Sequence, residues 1–195
     1  MREVTVDRKT NETNISLSIN LDGRGVSDID TGCGFLNHML TLFAKHGRFD
    51  LKVKCVGDTD VDYHHTVEDV GIVLGTALKK ALGDKKGIVR YGDKAIVMDE
   101  SLIQTAIDLS GRATLVYKMP IPAQKVLDFD VELIEEFFLA FVRTAECSLH
   151  IIELNGKNSH HIIEGAFKSF ARTLKEAVSI DQDFIDEIPS TKGTL

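Results

Sequence analysis

The two halves of this chain are copies of one another, which restricts its fold to architectures that two like units can build together. His64-His65-x-x-Glu68 recurs as His160-His161-x-x-Glu164 at an offset of 96. Upstream, Glu12 to Arg24 aligns without a gap on Glu100 to Arg112, with six of thirteen positions identical, including both ends. Between these blocks, His38 to Val53 aligns on Glu136 to Ile151, placing Phe43 on Phe141, Lys45 on Arg143 and Leu51 on Leu149. The offsets change only where loops are expected, and the second half carries an insertion around Met119-Pro120-Ile121-Pro122. The halves therefore run over 1–88 and 89–180, followed by a polar C-terminal tail, 181–195, all within one integrated domain.

Each half carries the same periodicities. Ile15, Leu17, Ile19 and Leu21 alternate with polar residues, as in a strand with one buried face, and Asp22-Gly23 ends it. Phe35, Leu36, Met39, Leu40 and Phe43 follow helical spacing, with Gly47 as the stop. Leu51, Val53 and Cys55 alternate again as a strand. Val67, Val70, Leu74, Ala77, Leu78 and Ala81 mark a second amphipathic helix, from Thr66 to a stop at Gly83. A sheet with one apolar face and two helices to cover it, written twice, predicts an α+β fold. In it, a four-helix layer is sandwiched between two mainly four-stranded sheets.

A formal net charge of −7 argues against nucleic acid or an anionic membrane as the main partner. No apolar run is long enough to span a bilayer, and the N-terminal segment lacks a signal-peptide core. Cys33, Cys55 and Cys147 form no metal or disulfide spacing. They read as buried or free thiols in a reducing compartment, which predicts a cytoplasmic enzyme.

Neighbouring histidines on a helix point about 100° apart, so His64 and His65 cannot easily serve one ion from one segment. They can serve two. The repeat adds a third position, His38 in the first half and Glu136 in the second. One assignment with four ligands per ion is His38, His65, His160 and Glu164 on the first, and His64, Glu68, Glu136 and His161 on the second. Imidazole and carboxylate donors without thiolate suit Mn(II), Fe(II), Co(II) or Zn(II), and positions left open for substrate favour Mn(II). The bland alternative, that paired histidines near a helix start are caps or surface groups, suits one cluster but not two in matched repeats. It applies better to His150, which falls off the ligand pattern, while His46 at a helix end stands between a supporting role and none.

The strings Asp30-Thr-Gly-Cys-Gly-Phe-Leu-Asn-His38, Asp62-Tyr-His64-His65-Thr-Val-Glu68-Asp69 and Asn158-Ser-His160-His161-Ile-Ile-Glu164 closely resemble those of the imidazoleglycerol-phosphate dehydratases. The resemblance extends through Met98-Asp99-Glu100 to the tail Pro189-Ser-Thr-Lys-Gly-Thr-Leu. It implies dehydration of D-erythro-imidazole-glycerol phosphate to the acetol phosphate in histidine biosynthesis. It also implies two Mn(II) ions per active site and a homo-oligomer, a 24-subunit shell built from trimers with metals at subunit contacts. On this pattern His38, His65, His160 and Glu164 match the ligands of one manganese, and His64, Glu68 and His161 those of the other. Glu136 stands where the pattern has histidine, and Asn37 and Cys33 are milder departures. The implied chemistry places the two ring nitrogens on the two metals. A cation lowers the pKa of a bound acid, so the ring can ionise to imidazolate and expel the hydroxyl.

Glu12 matches a substrate-contacting glutamate of the family and is the candidate acid–base group, with His64, His65 and Glu164 completing the catalytic set. A phosphate needs fixed cationic donors. Arg90, Arg112, Lys168, Ser190 and Lys192 match the family's substrate contacts, and His38 contacts substrate as well as metal. Lys168 also lies four residues after Glu164, where an ordinary helix-face ion pair competes. The tail has no core residues and is expected to order only against substrate or a neighbour. Two other readings use the same residues: a dinuclear phosphate-ester hydrolase, and a metal-assembled cage without catalysis.

Overall fold

The computed structural model describes residues 2–195. In the first half, Ile15, Leu17 and Ile19 bury one face of β2 (Thr13–Asn20), while Asn14 and Ser16 face out. This strand lies between β1 (Glu3–Lys9) and β4 (Asp50–Gly57), and β3 (Ser27–Asp30) closes the far edge beside β4. Helices α1 (Gly34–Gly47) and α2 (His64–Leu82) cover the apolar face. The second half repeats the plan with β5 (Tyr91–Met98), β6 (Ser101–Asp108), β7 (Thr114–Lys118), α3 (Leu133–Ala145), β10 (Ser148–Asn155) and α4 (Ser159–Ala177). Its insertion folds as a small hairpin, β8 (Lys125–Val126) with β9 (Phe129–Asp130).

The sheet orders β1-β2-β4-β3 and β5-β6-β10-β7 are one topology. In both, the last pair is parallel and the others antiparallel, because a helix crosses over between the two parallel strands. The four helices form a layer between the sheets, and the main helical partner of each comes from the other half: α1 packs on α4, and α2 on α3. Both pairs run side by side in the same direction. Phe43 of α1 stacks on Phe170 of α4, ring centroids 5.3 Å apart. Gly71 and Gly75 of α2 let α3 approach so closely that a Cβ at Gly71 would stand 2.6 Å from the Phe137 carbonyl, and one at Gly75 2.9 Å from the Ala145 nitrogen. The core is thus shared, with Phe43, Phe137, Phe138, Phe141, Phe167 and Phe170 all buried in it.

Several details differ from the sequence expectation. Gly47 is not the stop: it is the last residue of α1, where a Cβ would meet the Phe49 ring at 2.5 Å, and Arg48 takes the left-handed conformation with φ 57°. The second helix begins at His64 rather than Thr66, so both histidines lie in its first turn. The edge strands are not read from the sequence because their apolar marks are sparse: β1 buries Val6 and, in part, Val4, and β3 is Ser-Asp-Ile-Asp. The first part of the tail lies against the body of the fold: Gly87 N–H donates to Glu187 O at 2.8 Å and Arg90 to Pro189 O at 2.7 Å.

The start of α2 is pinned to the sheet by a buried carboxylate. Asp69 Oδ2 accepts from Arg8 Nη1 at 2.8 Å and from the Thr13 hydroxyl at 2.5 Å. Asp69→Ala leaves a partly buried guanidinium and a hydroxyl unpaired. Because Arg8 keeps some solvent, the expected cost is about 2 kcal/mol. Differential scanning calorimetry should show a melting temperature lower by roughly 4–8 °C.

Candidate active site

The packing of α1 on α4 brings three of the sequence-derived ligands together. His38 Nε2 lies 3.4 Å and His160 Nε2 3.2 Å from Glu164 Oε2, and these donor atoms all fall within 4.8 Å of one another. His38 is exposed, His160 half-buried and Glu164 buried, so the carboxylate forms the floor and the imidazoles the rim. Asn158 sets the entry of α4, its side-chain oxygen accepting from the N–H groups of His160 at 2.9 Å and His161 at 3.2 Å. Phe35 packs edge-on against the His160 ring. Burial alone would push the Glu164 carboxyl up. Lys168, 2.5 Å away, then His160 and His38, more than offset that and hold it below the usual carboxylate range. Lys168 is thus engaged in the helix-face ion pair, with Met98 Sδ at 3.3 Å as its other neighbour. His46 lies at the far end of α1, its pKa lowered first by burial and then by Lys168 and Arg172. His150 is exposed on β10, away from these groups.

The repeat-related site is more open. His64 Nε2 and Glu68 Oε2 are 3.9 Å apart on α2. Gly71 faces Phe137 and Gly75 faces Phe141, so the register of α2 on α3 puts Glu136 level with Glu68, as His38 is level with Glu164. Among the described residues Glu136 makes no ion pair. His65 and His161 point elsewhere. Their rings stand 80° and 84° from those of His64 and His160, and the structure does not bring them to the ligands proposed for them within this chain. His65 Nδ1 meets Asp58 Oδ2 at 2.9 Å, with Glu12 Oε1 3.7 Å from its Nε2. His161 Nδ1 meets Glu100 Oε2 at 2.8 Å, with Asp99 Oδ2 3.7 Å from its Nε2. These carboxylates raise both imidazoles, Asp58 chiefly for His65 and Glu100 chiefly for His161. In return the His161 hydrogen bond, followed by the Asn158 N–H, pulls Glu100 down to about 2.

Asp58, Asp99 and the engagement of Glu100 were not anticipated from the sequence as parts of this site. Glu100 was findable as the repeat mate of Glu12. Asp58 has no such signal, since none of Leu154, Asn155, Gly156 or Lys157, which stand opposite it in the second half, is acidic.

Four of the five predicted phosphate ligands gather elsewhere, and Lys168 stays apart beside Glu164. Arg90, Arg112, Ser190 and Lys192 line one cleft of about 560 Å3, together with Ser110 and Thr191. Arg90 is fixed by Asp108 at 2.7 Å and the Pro189 carbonyl. Arg112 reaches only the Ser110 carbonyl at 3.4 Å and is the freer cation. This cleft sits at the C-terminal end of α4, where Arg90 N–H donates to Ala177 O, whereas Glu164 lies near the other end. Thirteen residues separate the two positions, about 20 Å at the helical rise.

Comparison with known proteins places the chain in a family. The family model for imidazoleglycerol-phosphate dehydratase matches residues 31–174. An imidazoleglycerol-phosphate dehydratase of Desulforamulus reducens is 56% identical over 194 residues, covering 100% of this chain and 98% of that protein. One from Heliobacterium modesticaldum is 54% identical, with both chains covered in full. The crystal structure of the Staphylococcus aureus enzyme superposes with a TM-score of 0.83 at 42% identity, over 91% of this chain and 99% of that one. The Pyrococcus furiosus enzyme, in complex with (S)-C348, gives 0.84 at 32% identity, over 97% of this chain and all of that one. With its duplicated fold and its doubled histidine clusters, the chain belongs to the imidazoleglycerol-phosphate dehydratase family.

Proposed function

We propose that this protein dehydrates D-erythro-imidazole-glycerol phosphate to imidazole-acetol phosphate, in a manganese-dependent step of histidine biosynthesis in the cytoplasm. The observation that carries the metal requirement is the convergence of His38, His160 and Glu164 on one point with nitrogen and oxygen donors only. That donor set fits Mn(II). His38, His160 and Glu164 would hold one ion together with a His65, and His64, Glu68 and Glu136 the other together with a His161. Bound at the two ring nitrogens of the substrate, such cations would make the imidazole a far stronger acid.

The remaining work falls to the protein. The histidine faces orient the ring, and Arg112, Arg90, Ser190 and Lys192 take the phosphate. Glu12 takes the proton from the carbon beside the one that loses hydroxide. The hydroxide departs with a proton as water, and the enol left behind returns to the ketone. Among the described residues no helix is long and apolar enough to cross a membrane.

The separation along α4 supports a homo-oligomeric site. From ordinary bond lengths the substrate spans about 9 Å from ring to phosphate, less than half the distance between cluster and cleft within one chain. His65 and His161, turned away from the ligands proposed for them, are likewise placed to serve a neighbour. A closed shell of 24 subunits built from trimers satisfies both. The test is an assay with imidazole-glycerol phosphate after chelation, followed by Mn(II) add-back. Activity should vanish with the metal and return with it. Phosphate release from generic esters without acetol formation would favour a hydrolase instead.

A further inference from the structure

The duplication placed one glutamate beside each outward-turned histidine, and the two copies now do different things. Glu100 is exposed, yet both of its carboxylate oxygens are hydrogen-bonded. Its Oε1 accepts from the N–H groups of Asn158 at 2.8 Å and Lys157 at 3.2 Å and from the Ser101 hydroxyl at 3.2 Å, while its Oε2 meets His161 Nδ1. Its repeat mate Glu12 is exposed, and among the described residues no hydrogen bond holds its carboxylate. The place on Nδ1 of His65 that Glu12 would occupy by symmetry belongs to Asp58, from the loop between β4 and α2. The Asp58 N–H donates to the Glu12 carbonyl at 3.1 Å, which keeps the two acids side by side on different edges of the same ring.

A carboxylate on Nδ1 fixes the tautomer with its proton there and leaves the Nε2 lone pair as the donor to a metal. We infer that Asp58 is a positioning residue that took over the Nδ1 edge of His65 and thereby released Glu12 for proton transfer, whereas Glu100 remains the positioning residue of His161. The exposed Asp99, on the Nε2 edge of His161, is the nearest counterpart to Glu12 in the second half, but it stands one residue off the repeat. This inference rests on the manganese-dependent reading above. It adds that the two halves of the repeat are unequal at these histidines: the first keeps Glu12 free beside its positioning residue, whereas the second uses the matching glutamate to position His161.

The experiment compares Asp58→Asn, Glu100→Gln and Glu12→Gln in the assembled full-length protein. Mn(II) affinity is read from the electron paramagnetic resonance of free Mn(II) during titration, and turnover is followed at limiting and saturating metal. Asp58→Asn and Glu100→Gln should each weaken Mn(II) binding by roughly 10–100-fold, with much of the lost turnover restored by excess metal. Glu12→Gln should leave the affinity unchanged and gain nothing from excess metal. Equal metal affinities for Glu12→Gln and Glu100→Gln would overturn the division of roles, as would an unaltered affinity in Asp58→Asn. If Asp58→Asn does not fold, the Glu12 and Glu100 variants carry the comparison alone. Because the affinities are measured without substrate, they stand apart from the assigned reaction. A wild-type protein that binds Mn(II) in this order but makes no acetol phosphate would refute the reaction and leave the positioning roles intact.

Discussion

On the manganese-dependent reading, Glu164→Gln is expected to lose the ion proposed to sit between α1 and α4 and, with it, essentially all turnover. The carboxylate oxygen Oε2 is the acceptor that His38 and His160 share, and it lies at the buried end of the cluster. An amide keeps the shape but removes the negative charge, turning one oxygen into a donor that faces two imidazoles. It also leaves Lys168 beside a neutral group. If each metal supplies about 4 kcal/mol of charge stabilisation to the reaction, the rate should fall by roughly a thousandfold. Metal analysis should find one ion fewer per chain, and the remaining one should be undisturbed. A variant with its full metal content and near-normal turnover would show that the cluster is structural.

Glu12→Gln separates the chemistry from the scaffold. Among the described residues the Glu12 carboxylate takes part in no hydrogen bond, so the substitution should leave folding, assembly and metal content as they were. Turnover should nonetheless drop by roughly 10^2 to 10^4, the range for removing one general acid–base group. The Michaelis constant should change little, since the ring and the phosphate are held elsewhere. Retention of full activity would exclude Glu12 as the proton carrier and direct attention to Asp99. A cage protein that used its histidines only for assembly would show no effect at all.

Much of this was legible in the sequence, for a physical reason. Alternation at Ile15–Leu21 and helical spacing at Phe35–Phe43 come from residues with one dry side and one wet side, and the repeat confirmed each reading with an independent copy. The edge strands carry the contrast only weakly, with few apolar residues to mark the covered face. In β3 only Ile29 is apolar, and backbone pairing with β4 rather than side-chain burial makes it a strand. The meeting of His38 with His160 and Glu164 was anticipated because the duplicated clusters suggested that each ion draws ligands from both halves. Asp58 was invisible for the opposite reason. It lies in a loop of acidic residues, Asp58, Asp60 and Asp62, where composition does not distinguish the one facing an imidazole from those facing water. Gly47 misled because glycine ends helices so often. Here it is small to make room for Phe49 rather than to turn the chain.

The crossed pairing of helices also sets the order of events during synthesis. When the first half leaves the ribosome, α1 and α2 already carry buried-type faces, among them Met39, Phe43, Val70 and Leu74, but their partners α4 and α3 have not been made. At ordinary elongation rates about 5–20 s pass before the second half follows. Through that interval the nascent chain presents an unpaired apolar surface that only its own continuation can cover. Neither copy of the ancestral unit can now complete a core alone. Two such half-chains would have solved the problem by pairing with each other, and fusing them turned an encounter between molecules into a closure within one.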